Sequence, residues 1–137
     1  MFIFVLINTN DYKTNPFTPT ETKVYLTNLF FSECSNRAIL YEVNGGLLVE
    51  LCTFNNCHSS SDGGCIYQSK GQCIINKCCS FRCYSSSSSG WGQFIYNSLA
   101  DDKSSKNRVL DSSITLSYKG NTYREYDAGT QRGLISR

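Results

Sequence analysis

Apolar residues in this chain come in short alternating runs, each broken after a few residues by Gly, Asn or Ser. Three such runs align: Val24–Cys34, Leu47–Cys57 and Cys73–Cys83. Aligned columns hold Val24/Leu47/Cys73, Leu26/Val49/Ile75, Leu29/Cys52/Cys78, Phe31/Phe54 and Cys34/Cys57/Cys83, all apolar. Mostly polar residues such as Thr27, Glu50 and Asn76 lie between them. Alternate side chains of a strand face one side, so the runs are expected to be strands with one buried face. In the third run Ser80 takes the place of the two Phe and Phe81 sits beside it, which predicts a bulge or register shift.

A second short strand follows each run: Ala38–Tyr41, Gly64–Tyr67 and Gln93–Tyr96, each ending in Tyr. Turn pairs Asn44-Gly45 and Lys70-Gly71 follow the first two, where Gly accepts positive φ. The final cysteines of the runs stand 23 and 26 residues apart, and the two turns 26 apart. A β-sandwich also alternates. An offset kept through strand, turn and strand instead favours one unit stacked on the next, because a single unit cannot bury its own apolar face. The predicted fold is all-β, a right-handed parallel β-helix (solenoid) of about three to four coils with short terminal caps. Its ladder residues are Leu26, Val49, Ile75, Phe31, Phe54, Cys34, Cys57 and Cys83.

Phe31–Cys34, Phe54–Cys57 and Asp62–Tyr67 resemble the repeat motifs of polymorphic-outer-membrane-protein-type β-helices, which carry Gly-Gly-Ala-Ile and Phe-x-x-Asn. Cys-rich versions occur in surface-protein families of parasitic protists. The resemblance spans about Val24 to Tyr96. It departs in having Cys where the motif has Asn, and in keeping the full Gly-Gly in one copy only. It implies an extracellular or cell-surface protein of binding or adhesion type.

Outside the repeat, residues 1–23 are expected to form an N-terminal cap or first strand. Their apolar start, Met1–Ile7, is alternatively a secretory-signal remnant, although it lacks a basic n-region and a small-residue cleavage site. Residues 24–118 form the coils, with a Ser-rich loop at 84–92 and an alternating strand around Ile114 that suggests a fourth, degenerate coil. Residues 119–137 form a C-terminal tail.

Composition narrows the chemistry. A formal net charge of +2 with scattered charges is too mild to call for nucleic acid. No apolar run reaches the roughly 20 residues that span a bilayer. The eight Cys lie between Cys34 and Cys83. Stacked strands bring them close, but with side-by-side Cβ vectors that suit a disulfide poorly. Cys34, Cys57 and Cys83 are therefore expected as a column of buried, unbridged thiols. Cys78 and Cys79 are adjacent, so one of them faces out. Paired Cys-x-x-Cys spacing is absent and His58 is the single His, so no metal site, cofactor or thiol catalysis is expected. Asn44–Gly46 and Asp62–Gly64 lack the Lys-Ser/Thr of a phosphate loop.

Three functions remain in view. A binding module would use a regular outer face, with a Tyr row (Tyr41, Tyr67, Tyr96) and Trp91 in its Gly-flanked loop meeting carbohydrate or a surface protein. A structural spacer, or a fragment of a larger repeat protein, would self-associate through open coil ends. A polysaccharide lyase or hydrolase would need paired carboxylates; Glu33, Glu50, Asp62, Asp101 and Asp102 build no row in the alignment.

Overall fold

The computed structural model describes residues 5–8, 12–14, 16–86, 92–97, 107–115, 118–119 and 135–136, with the strands at 5–8, 12–13, 118–119 and 135–136 given by their backbone. Trp91, Ser87–Ser89 and Asp101–Asp102 lie outside the described residues, as do 120–134 of the tail.

All described secondary structure is β. The chain makes successive circuits through the same set of sheets. β1 (Val5–Asn8) and β2 (Tyr12–Lys13) belong to the first circuit. β3 (Lys23–Thr27), β4 (Phe30–Ser32) and β5 (Ile39–Tyr41) form the second. β6 (Gly46–Glu50), β7 (Thr53–Asn55), β8 (His58–Ser59) and β9 (Ile66–Gln68) form the third. β10 (Gln72–Asn76), β11 (Cys79–Phe81), β12 (Tyr84–Ser85) and β13 (Ile95–Asn97) form the fourth. β14 (Arg108–Leu110), β15 (Ser113–Thr115), β16 (Tyr118–Lys119) and β17 (Ile135–Ser136) form the fifth. Four sheets result, ordered β1-β3-β6-β10-β14, β2-β4-β7-β11-β15, β8-β12-β16 and β5-β9-β13-β17. Pairing is parallel throughout, and each strand lies on its counterpart from the circuit before, an arrangement compatible with a parallel β-helix. Five circuits therefore stand among the described residues where the repeat suggested three to four. The first and last carry little of the repeated pattern but pair in the same register.

The register reproduces the sequence columns. Val24 pairs with Leu47 and Leu47 with Cys73; Leu26 pairs with Val49 and Val49 with Ile75. All six are buried. Phe31 stacks flat on Phe54, with centroids 5.1 Å apart. Above them Ser80 keeps the Phe column and pairs with Phe54, so β11 carries neither the expected bulge nor a register shift. Phe94, arriving from the strand opposite, fills the space and meets Phe54 edge-on at 5.6 Å. With the core already filled, Phe81 stays outside, 40% exposed.

Corners between the first two sheets, and between the second and third, share one construction. A residue with φ near +50° turns the chain: Asn28, Leu51, Lys77 and Asp111 at the first corner, Glu33, Asn56 and Arg82 at the second. Its N–H donates to the circuit above, as in Leu51 to Asn76 O (3.1 Å) and Asn56 to Phe81 O (2.9 Å). The residue after it points inward and is Cys at five of these corners: Cys34, Cys52, Cys57, Cys78 and Cys83. Each thiol donates to the carbonyl two residues back, from Cys52 to Glu50 O at 3.2 Å through Cys83 to Phe81 O at 3.8 Å. Ser112 donates to Leu110 O in the same way at 2.7 Å. The carbonyls of Glu50, Asn55, Asn76 and Phe81 also accept the corner N–H of the circuit below, so the small inward donor adds a second bond to each.

Candidate functional site: an outer aromatic row and an inner thiol cluster

Side chains that leave the core pair with one another along the stack. On the fourth sheet Tyr67 pairs with Tyr96, and their rings stack 5.3 Å apart at 16°. Arg37, in the circuit before, lays its guanidinium over the Tyr67 ring, 4.9 Å from the centroid. Its Nε donates to Asp62 O at 3.0 Å and Nη2 to Ser61 Oγ, which ties down the 60–64 loop. Ser85 Oγ donates to Ser61 O (2.8 Å), fastening the same loop from the next circuit, and Ser86 Oγ donates to Ser59 O (3.1 Å) at the end of β8. Partial burial lowers the Arg37 pKa from its ordinary value, while Tyr67, Asp62 and Glu42 pull it back up. Burial raises the Tyr67 phenol, and Tyr96 adds to the shift. On the third sheet His58 and Tyr84 pair, and their rings stack at 4.9 Å.

Tyr41 does not join it. The three strands align on Ile39, Ile66 and Ile95, which places Leu40, not Tyr41, beneath Tyr67. Tyr41 lies one residue further on, and a one-residue offset on a strand reverses the face. It is wholly buried below Gln68, and its hydroxyl donates to Glu21 O at 3.0 Å. The expected loop at 84–92 is also shortened, because Tyr84–Ser85 is strand β12.

Inside, all eight cysteines are unbridged, seven buried and Cys79 exposed. Cys34, Cys57 and Cys83 stack as expected, with His58 N–H donating to Cys34 O (2.9 Å) and Tyr84 N–H to Cys57 O (3.1 Å). Cys65, absent from that column in the alignment, faces it from across the core. Its sulfur and those of Cys57 and Cys83 all lie within 4.8 Å of one another. Gly63 and Gly64 deliver it there. Gly63 has φ +66°, and a Cβ on Gly64 would stand 2.2 Å from Gln93 O and 2.4 Å from Tyr84 O. Only glycine lets this strand press so close to the next circuit. Burial pushes the Cys65 thiol well above its usual range. Hydrogen bonding with Cys34, then with Cys65 and Cys83, pushes Cys57 up, and burial adds to it. Burial acts upward on Cys83 too, but hydrogen bonds from Cys57 and Cys65 more than offset it and hold this thiol well below its ordinary value.

Carboxylates are dispersed among the described residues. Glu50 lies on the first sheet, where it accepts from the Tyr25 hydroxyl and from Asn76 Nδ2 (2.7 Å). Those two hydrogen bonds, Tyr25 first, lower its pKa. Glu33 sits at the second corner and Asp62 on the 60–64 loop. A shallow hollow lined by Thr22, Lys23, Asn44, Gly45 and Gln72 has its Gly46 and Gln72 N–H groups already committed, to Thr22 O (2.8 Å) and Gly45 O (2.7 Å). No helix among the described residues is long and apolar enough to cross a membrane. Comparison with protein-family models, curated proteins and solved structures gives no match for this chain.

Proposed function

We propose that the chain is a right-handed parallel β-helix, a solenoid of the Cys-rich surface-repeat kind that its Gly-Gly-Cys-Ile and Phe-x-x-Cys motifs resemble, and that it serves as a binding module for glycans. The observation that carries this reading is the outward row Arg37–Tyr67–Tyr96. Rings and a guanidinium held at successive strand steps of ~4.8 Å offer repeated polar edges to a ligand that itself repeats. Their conformational entropy is already spent on stacking, so little more is lost when a sugar chain docks. Trp91, which follows the Ser run and precedes Tyr96 in the sequence, is a further candidate contact.

The test is a broad glycan array probed with the purified chain, a Tyr67→Ala/Tyr96→Ala double variant and Trp91→Ala. Saturable binding that falls at least tenfold in the double variant supports the reading. Binding unchanged in both variants, or no binding at all, sinks it. A second reading, a structural spacer or a segment of a longer repeat protein, has its own support. The outer side chains bond chiefly to one another across circuits, as in Tyr25–Glu50–Asn76 and His58–Tyr84. Concentration-dependent self-association through the end strands, without glycan binding, would favour it.

A further inference from the structure

Five of the buried cysteines share one structural role: each follows a left-handed corner residue and donates to the carbonyl two residues back. Cys65 follows no such corner, and its sulfur lies within 4.8 Å of those of Cys57 and Cys83. Nothing in the packing calls for sulfur at this place. In the circuit before, Ala38 stands there, its N–H donating to Cys65 O at 2.8 Å; in the circuit after, Phe94 does, accepting from Cys65 N–H at 3.0 Å. The same stacked position thus takes a methyl, a thiol and a ring. Only in the middle circuit does it complete a triangle of sulfurs.

We infer that Cys57, Cys65 and Cys83 form a binding site for a single thiophilic monovalent metal ion, Cu(I). Soft thiolate donors select Cu(I), zinc or iron–sulfur chemistry. Zinc takes four ligands in a closed site. Among the described residues no fourth His, Cys, Asp or Glu atom lies within 4.8 Å of all three sulfurs; Cys34, the next thiol of the column, hydrogen-bonds to Cys57 alone of the three, and the three cysteines are wholly buried. Cu(I) is content with two or three sulfurs. A metal–sulfur bond of about 2.3 Å seats an ion at the centre of a triangle of side about 4 Å. Sulfurs no more than 4.8 Å apart are within about 1 Å of that spacing. One Cu(I) replaces one proton: one sulfur binds as thiolate and releases its proton to solvent, and the other two coordinate as neutral thiols, so the buried site keeps its charge. Uptake accompanies folding, since the site is assembled from two circuits and closed to solvent.

The experiment is a titration of the reduced, oxygen-free protein, refolded with Cu(I) held by a competing chelator such as bicinchoninate. Retained metal is counted by native mass spectrometry and its donors read by X-ray absorption. Cys65→Ala is the decisive variant, because Ala38 shows that the neighbouring circuit accepts a methyl at this position. Circular dichroism checks its fold, and Cys79→Ala serves as control. The expected result is one tightly held Cu(I) with a sulfur-only shell in the native sequence and in Cys79→Ala, and at least tenfold weaker retention in Cys65→Ala. Equal retention with and without Cys65, no retention, preferential retention of Zn(II), or a Cys57–Cys65 disulfide in the reduced preparation would each overturn the assignment.

Discussion

A thiol buried in an apolar column is a small hydrophobe with a titratable proton, and Cys73 shows the consequence most simply. It sits between Leu47 below and the fifth circuit above, 2% exposed, and burial pushes its pKa up to about 12 from the usual 9.0. Because the folded value is the higher one, the unfolded chain gives up this proton first. The stability that a neutral Cys73 contributes is complete below the unfolded pKa and drains away as pH rises toward 12. One such thiol tilts the equilibrium by about 1.4 kcal/mol per pH unit across that window. Urea midpoints taken from pH 8 upward should fall steeply past about pH 9. In Cys73→Ala, less stable at neutral pH, that fall should be shallower by one proton's worth. Parallel slopes for the two proteins would contradict the burial of this residue.

Elements divide into what alternation encodes and what it does not. The columns through Leu26, Val49 and Ile75 were legible because each strand buries every second residue and the period is kept. Alignment by residue identity misled at Tyr41, where the matching Tyr is one place out of register and faces the core. It misled at Ser80 as well, since Phe94 fills the missing volume from a strand the pattern does not connect to it. The left-handed corners were invisible for a different reason: Leu51, Lys77 and Arg82 are residues that local preference keeps out of positive φ. Their N–H bonds to the neighbouring circuit hold them there. Leu51 carries this strain with an apolar side chain 50% exposed, while Asn28 shows that asparagine fits the same corner. Leu51→Asn is therefore expected to raise stability by about 0.5–1 kcal/mol, read as a shift in denaturation midpoint with unchanged slope. A loss of similar size would mean that the corner is not left-handed. Of the two candidate sites, the Tyr67 and Tyr96 positions were readable from the repeat. Cys65 was not, because its part in the thiol cluster depends on Gly63 and Gly64 drawing the strand across the core.

For the whole molecule, the parallel register decides everything above it: which rings face out, which thiols face in, and that the chain returns to the same place after each circuit. It places Cys78 and Cys79, neighbours in sequence, on opposite sides of one wall, and buries seven cysteines while leaving one at the surface. The same register brings Arg37 over Tyr67 and Cys65 beside Cys57, residues that no local pattern links. Thiol labelling of the reduced native protein, mapped peptide by peptide, reads this arrangement directly. The expected outcome is rapid modification of Cys79 alone, with the other seven reacting only after denaturant is added. Rapid native labelling of Cys57, Cys65 or Cys83, or protection of Cys79, would contradict the stacked parallel arrangement on which both proposed sites depend.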